Sequence, residues 1–201
     1  MPSPPTEDIL PYAGELLPRS LHFTDEGKAL IVSYLYHGIV CWNISAKTWQ
    51  WRIQTGTRIA RSALSPDGKA VAICNLMNGF VRYRVKTGEM LSQYPVEVVD
   101  NVSLPVLFIH EGRSLLCGSD RGEVTIFNAE TGSLVQVLQH PGPCTVSQCS
   151  IISIHQAYQR AGGMDWVATG TSETGDRTNV ILWKRCSRKC HSQIVGTLFT
   201  M

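Results

Sequence analysis

No stretch of this chain stays apolar for the ~20 residues that a membrane-spanning helix requires. Charge of one sign is also missing: 18 Lys and Arg stand against 16 Asp and Glu in 201 residues, a formal charge of +2. That balance leaves no overall field to gather nucleic acid or an acidic membrane surface. The opening segment, MPSPPTEDIL, is Pro-rich and carries Glu7 and Asp8 where a secretory signal needs positive charge and then an apolar core. Residues 1–18 are therefore expected to form a mobile leader and lead-in, and the protein to be intracellular, in cytoplasm or nucleus. Cysteine is sparse, 7 residues and an odd number, which excludes a small disulfide scaffold. Cys41, Cys74 and Cys117 lie within the apolar runs GIVCW, VAICN and SLLCG, a setting for reduced thiols that pack as small hydrophobes.

What the chain does have is a repeat. An acidic turn ending in Gly occurs as FTDEG at 23–27, LSPDG at 64–68 and FIHEG at 108–112, with glycine offsets of 68 − 27 = 41 and 112 − 68 = 44. A second glycine follows each, Gly38, Gly79 and Gly122, offset by 41 and 43. An aromatic residue then follows in each copy: Trp42, Tyr83 and Phe127. Between these marks lie short apolar runs, Ala29 to Ser33, Ala70 to Cys74 and Ser114 to Cys117. Their β-branched and Leu-rich composition predicts strands. The runs IVCW, FVRY and EVTIF follow, and KTGEM at 86–90 and ETGSL at 130–134 supply hairpin glycines. LSQYPV and LVQVLQ then close the second and third units. Each unit is thus a four-stranded antiparallel meander of propeller-blade length.

A fourth unit departs from the pattern. Its strands are expected at 150–155, 166–170, 179–183 and 194–200, with the first link lengthened by QAYQRAGGMD and the next turn expanded to TSETGDRTN. The predicted architecture is all-β: four blades of four-stranded antiparallel sheet, at about 19–56, 57–98, 99–142 and 143–201.

LSPDGKAVAIC and LLCGSDRGEVTIFNAETGSLVQVL resemble WD40 repeats, and the similarity extends over about residues 19–200. In that family the position of Trp42, Tyr83, Phe127 and Trp183 is the aromatic of a closing dipeptide whose second member is usually Asp; here Asn43, Arg84, Asn128 and Lys184 follow. The family's Gly-His pair, roughly 30 residues upstream of the aromatic, is missing from every copy, and its turn Asp occurs once, as Asp120. With them goes the basis for the buried hydrogen-bond network of well-matched repeats. The resemblance implies a WD40-like β-propeller of divergent repeats, and since propellers of this family usually have about seven blades, a partial or open one. Such an arc exposes blade faces and strand edges. Three accounts stay open: the chain is a fragment of a longer propeller protein, it pairs with another chain to close a ring, or four blades close alone.

Catalytic patterns are scarce. The 6 His and 16 acidic residues form no triad, zincin or paired-carboxylate motif. His22, His110 and His155 fall at or beside strand ends, where a structural, hydrogen-bonded His is the ordinary reading. GTSETGDRTN at 170–179 has Gly170 and Gly175 at a P-loop interval, but Asp176 replaces the phosphate-binding Lys and a strand follows in place of a helix. CSRKCH at 186–191 has one residue too many for haem attachment. A structural zinc would need a second ligand pair, and Cys144 and Cys149 lie a blade away. With Arg185, Arg188 and Lys189, this run reads as a solvated loop. No cofactor or metal, and no specific nucleic-acid or membrane partner, is expected.

Loops joining the second and third strands of each blade line one propeller face. They carry Tyr34, Tyr36 and His37 in the first blade, Leu76 and Met77 in the second, Asp120 and Arg121 in the third, and Asp176 and Arg177 in the fourth. Aromatic and Met side chains on loops suit protein or peptide partners; the alternative is that they fold back and pack over the blade. The expectation is a non-catalytic interaction scaffold. The competing reading, part of a quinoprotein-like or lactonase-like propeller enzyme, would need converging acids, metal ligands or stacked Trp on inner strands.

Overall fold

The computed structural model describes residues 15–98, 102–140, 151–160, 164–172, 179–185 and 194–200. The first blade comprises β1 (Pro18–Thr24), β2 (Ala29–Tyr34), β3 (Gly38–Asn43) and β4 (Thr48–Ile53). The second comprises β5 (Arg61–Leu64), β6 (Ala70–Cys74), β7 (Gly79–Arg84) and β8 (Met90–Pro95). The third comprises β9 (Val106–Ile109), β10 (Ser114–Gly118), β11 (Glu123–Asn128) and β12 (Leu134–Gln139), and the fourth β13 (Ile151–Arg160), β14 (Met164–Ser172), β15 (Asn179–Arg185) and β16 (Ile194–Thr200). Each blade is a separate four-stranded sheet whose neighbours follow chain order, and all pairings are antiparallel.

The repeat marks are backbone requirements. Gly27, Gly68 and Gly112, and likewise Gly38, Gly79 and Gly122, all take positive φ, a region open to Gly at little cost. At Gly79 a β-carbon would also stand 2.5 Å from the Tyr94 carbonyl oxygen. The acidic turns use two solutions. Asp25 and Glu26, like His110 and Glu111, precede their glycine in the left-handed region. In LSPDG the ring of Pro66 forbids that route, and Gly68 alone has positive φ. The closing aromatics share a further device: a register shift falls immediately before Trp42, Tyr83 and Phe127 where the third strand meets the fourth. Such bulges increase local twist.

The fourth blade differs. β15 and β16 pair without a shift, so Trp183 lies opposite Gly196, where a β-carbon would collide with the indole. The expected long link between its first two strands is also corrected. QAYQR continues β13, with Gln156 opposite Ala168 and Arg160 opposite Met164. The polar–apolar alternation of that run extends the hairpin instead of looping out.

Blades stack face to face through apolar seams. Ile31, Ile39, Cys41 and Ile53 of the first blade meet Val71, Ile73, Val81 and Tyr83 of the second. Ala72, Cys74, Phe80 and Tyr94 then meet Phe108, Leu115, Cys117 and Phe127 of the third. Leu116, Val124, Ile126 and Leu138 meet Val167, Ile181 and Trp183 of the fourth. The period-two alternation of each strand thus assigns one face to the preceding blade and one to the following blade. The first strands, β1, β5, β9 and β13, pack beside one another in order and form the inner edge of the arc. Among the described residues no packed seam joins the first blade to the fourth. The arc is open. No helix among the described residues is long and apolar enough to cross a membrane.

Candidate functional site

In an antiparallel meander the β2–β3, β6–β7 and β10–β11 loops emerge on one rim, opposite the other turns of each blade. The second blade's loop is built by Asn75, whose buried side chain accepts hydrogen bonds from the amides of Met77 and Asn78, both at 3.0 Å. This Asx turn holds Leu76 at φ 56°, where Leu76 packs onto the seam between blades 2 and 3. It throws Met77 outward, 67% exposed. In the third blade Ser119 Oγ accepts from the amides of Arg121 and Glu123, at 3.2 and 3.1 Å, and donates to the Glu123 carbonyl. Arg121 then reaches Glu97 at 2.9 Å.

The sequence-predicted residues part company here. Met77 and Arg121 are exposed, and Tyr36 and Leu76 half-buried. Tyr34, His37 and Asp120 are buried. Tyr34 and His37 meet edge to face, ring centroids 6.3 Å apart. Burial lowers the His37 pKa, helped by the Arg52 charge, so the imidazole is neutral near pH 7. Asp176 and Arg177, and likewise Cys144, Cys149 and CSRKCH at 186–191, lie outside the described residues.

A polar cluster joins the inner strands of the first two blades. His22 Nε2 lies 3.0 Å from Ser62 Oγ, which also contacts Ser33 Oγ at 2.7 Å. The Ser62 amide donates to Ser20 Oγ at 2.9 Å, and Arg19 Nε to the Ala60 carbonyl at 3.3 Å. Burial lowers the His22 pKa against a hydrogen bond from Ser62 that raises it. The Ser62 hydroxyl is shared between two partners and shielded from solvent, so this Ser–His pair stitches blades together. Cys41, Cys74 and Cys117 are buried free thiols. Burial pushes Cys41 up to about 11 and Cys117 well above the ordinary thiol value, and a protonated thiol is a poor nucleophile. Among the described residues no group of three or more His, Cys, Asp or Glu is placed to hold a metal ion.

One network that sequence spacing missed is present. His140 Nε2 meets Thr169 Oγ1 at 2.5 Å, and Trp183 Nε1 donates to the same oxygen at 2.7 Å. The imidazole and indole also approach edge to face at 6.0 Å. His140 precedes Trp183 by 183 − 140 = 43 residues and follows Gln139, not Gly, so a search for Gly-His some 30 residues upstream passes over it. The lengthened β13–β14 hairpin accounts for the added distance.

No family model and no curated protein matches the sequence. Solved structures do. The WD40 repeats of RRP9 superpose with a TM-score of 0.66 at 17% identity, over 90% of this chain and 52% of that one. U3-55K gives 0.69 at 17%, over 98% and 56%. The β-propeller domain of Cps50 (Swd1) from Myceliophteria thermophila gives 0.62 at 12%, over 92% and 60%. The fold is that of the WD40 propellers. The chain spans between 52% and 60% of the length of these WD40 structures, in keeping with an arc. His140, Thr169 and Trp183 supply the His, hydroxyl and Trp of the network expected in well-matched WD40 repeats, in the blade whose sequence match is loosest.

Proposed function

We propose that this chain is a non-catalytic interaction scaffold, a WD40 arc with blades at about 19–56, 57–98, 99–142 and 143–201 that offers one rim to protein or peptide partners. The observation that carries the reading is Met77, held out by the Asn75 turn on a rigid blade. An exposed, conformationally adaptable thioether on a fixed scaffold suits protein contact. Tyr36, Leu76 and Arg121 complete the contact set; Tyr34, His37 and Asp120 act beneath it as support. Further blades complete the propeller, from additional chain or from a second polypeptide, because the solved propellers are longer by nearly half. Free buried thiols suit a reducing, intracellular compartment.

The test is quantitative affinity capture from cells with the parent and with Tyr36→Ala and Met77→Ser. The expected result is a defined partner set whose recovery falls in both variants while folding is unchanged. A set recovered equally by all three proteins overturns the loop reading. A stoichiometric metal in the purified protein, measured by mass spectrometry, would favour the enzyme alternative.

A further inference from the structure

The opposite rim carries a second feature. Between blades 2 and 3, where the β5–β6, β9–β10 and β11–β12 turns converge, lies a cleft of about 400 Å³ lined by Ser65, Asp67, Arg82, Phe108, Arg113 and Glu130. That volume is in the lower range of ligand pockets, about 300–1,000 Å³. Arg82 is the unusual member. It occupies the third position after the second repeat glycine, where the first blade has Cys41 and the third Thr125. On β7 it lies between Ala72 and Ser92, facing the third blade beside Tyr94, whose buried phenol feels its charge. Its Nε is buried and has no hydrogen-bond partner. A buried charged donor is costly to leave unpaired.

The neighbouring charged groups are engaged elsewhere. Arg113 donates from Nε to the His110 carbonyl at 3.1 Å and lies 3.4 Å from Glu111. Asp67 accepts from Ser65 Oγ at 2.6 Å and from the Lys69 amide at 3.0 Å. Arg82 is thus the cation in the cleft without a protein counter-ion, set below an exposed rim that carries Asp67, Glu111 and Glu130. Counting two Arg against three acids, the lining sums to −1. This pattern disfavours a phosphate dianion. It matches a carboxylate with a cation beside it, the carboxylate taking the guanidinium fork and the cation the acidic rim.

We propose that the cleft between blades 2 and 3 receives an Asp or Glu side chain of a partner polypeptide, followed in sequence by Lys or Arg. This site is separate from the Met77 rim and stands or falls independently of it. The test is an amide NMR titration with the capped peptide Gly-Gly-Glu-Lys-Gly-Gly. The expected result is saturable shifts at Gly112, Arg113 and Glu130. Replacing Glu by Gln in the peptide, or Arg82→Gln in the protein, should weaken binding at least about tenfold, equivalent to about 1.4 kcal/mol. Arg82→Lys should retain part of the affinity, since charge survives without the fork, and Glu130→Gln should weaken the Lys-bearing peptide only. Met77→Ser should bind as the parent does, which separates this result from failure of the loop reading. Absence of saturable shifts at those three amides, or equal affinity for the Glu and Gln peptides, overturns the proposal. The peptide comparison uses the unaltered protein, so it holds even if a variant misfolds.

Discussion

Tyr94 offers a direct measure of how the blades are coupled. It sits on β8, is fully buried, and donates its hydroxyl to the Ala129 carbonyl in the next blade at 2.5 Å. Its ring lies 5.5 Å from that of Phe127, so one side chain supplies both packing and a hydrogen bond across the second seam. Tyr94→Phe keeps the ring and leaves the Ala129 carbonyl without this donor, a loss of about 1–2 kcal/mol. Tyr94→Ala removes the ring as well and should cost about 3–5 kcal/mol through the cavity it opens. For a chain of this length each kcal/mol moves Tm by about 2–4 °C, giving drops of about 2–8 °C and 6–20 °C. The assay is urea denaturation followed by both tryptophan fluorescence and far-ultraviolet circular dichroism. In a repeat protein, stability is shared between units and their interfaces. The Ala variant should therefore broaden the transition and separate the two probes, as blades 1–2 lose their coupling to blades 3–4. The reasoning is refuted if Tyr94→Phe equals the parent in stability, or if both variants lose the same amount with a single sharp transition.

Three further outcomes follow from single features. Thr169→Val removes the oxygen shared by His140 and Trp183 and should destabilise by about 1–3 kcal/mol; an unchanged denaturation midpoint would show that the network contributes nothing. Gly79→Ala meets both an unfavourable φ of 110° and the Tyr94 carbonyl, whereas Gly27→Ala has open space around it and faces φ strain alone. Chemical denaturation should show the first clearly worse than the second. His22 and His37 both have pKa values lowered in the folded state, chiefly by burial. The unfolded chain then binds protons first, so stability is full above the ordinary value of 6.5 and declines as pH falls from there toward the folded pKa values. Each proton contributes at most about 1.4 kcal/mol per pH unit. A flat Tm between pH 7 and 5, or one that rises on acidification, would contradict this sign.

How much of the candidate site was legible in sequence depends on whether local spacing carried the information. Met77 was visible because it stands in a short loop between two marked strands. The burial of Tyr34, His37 and Asp120 was not visible, since it depends on residues brought over them from other strands. Arg82 was passed over because FVRY reads as one strand among others; its isolation from any counter-ion appears only when the third blade is set against it. The His140 network escaped because its members are joined through two blades.

The sequence by itself determined the strands, the glycine turns that separate them and the four-stranded unit. These rest on local φ requirements and period-two alternation, which act within a few residues. Only the tertiary structure decided which strand face meets which blade, that QAYQR extends a hairpin, and that His140, Thr169 and Trp183 converge. Those outcomes depend on contacts between residues some 14 to 43 positions apart, where the packing of one blade against the next outweighs anything a local pattern encodes.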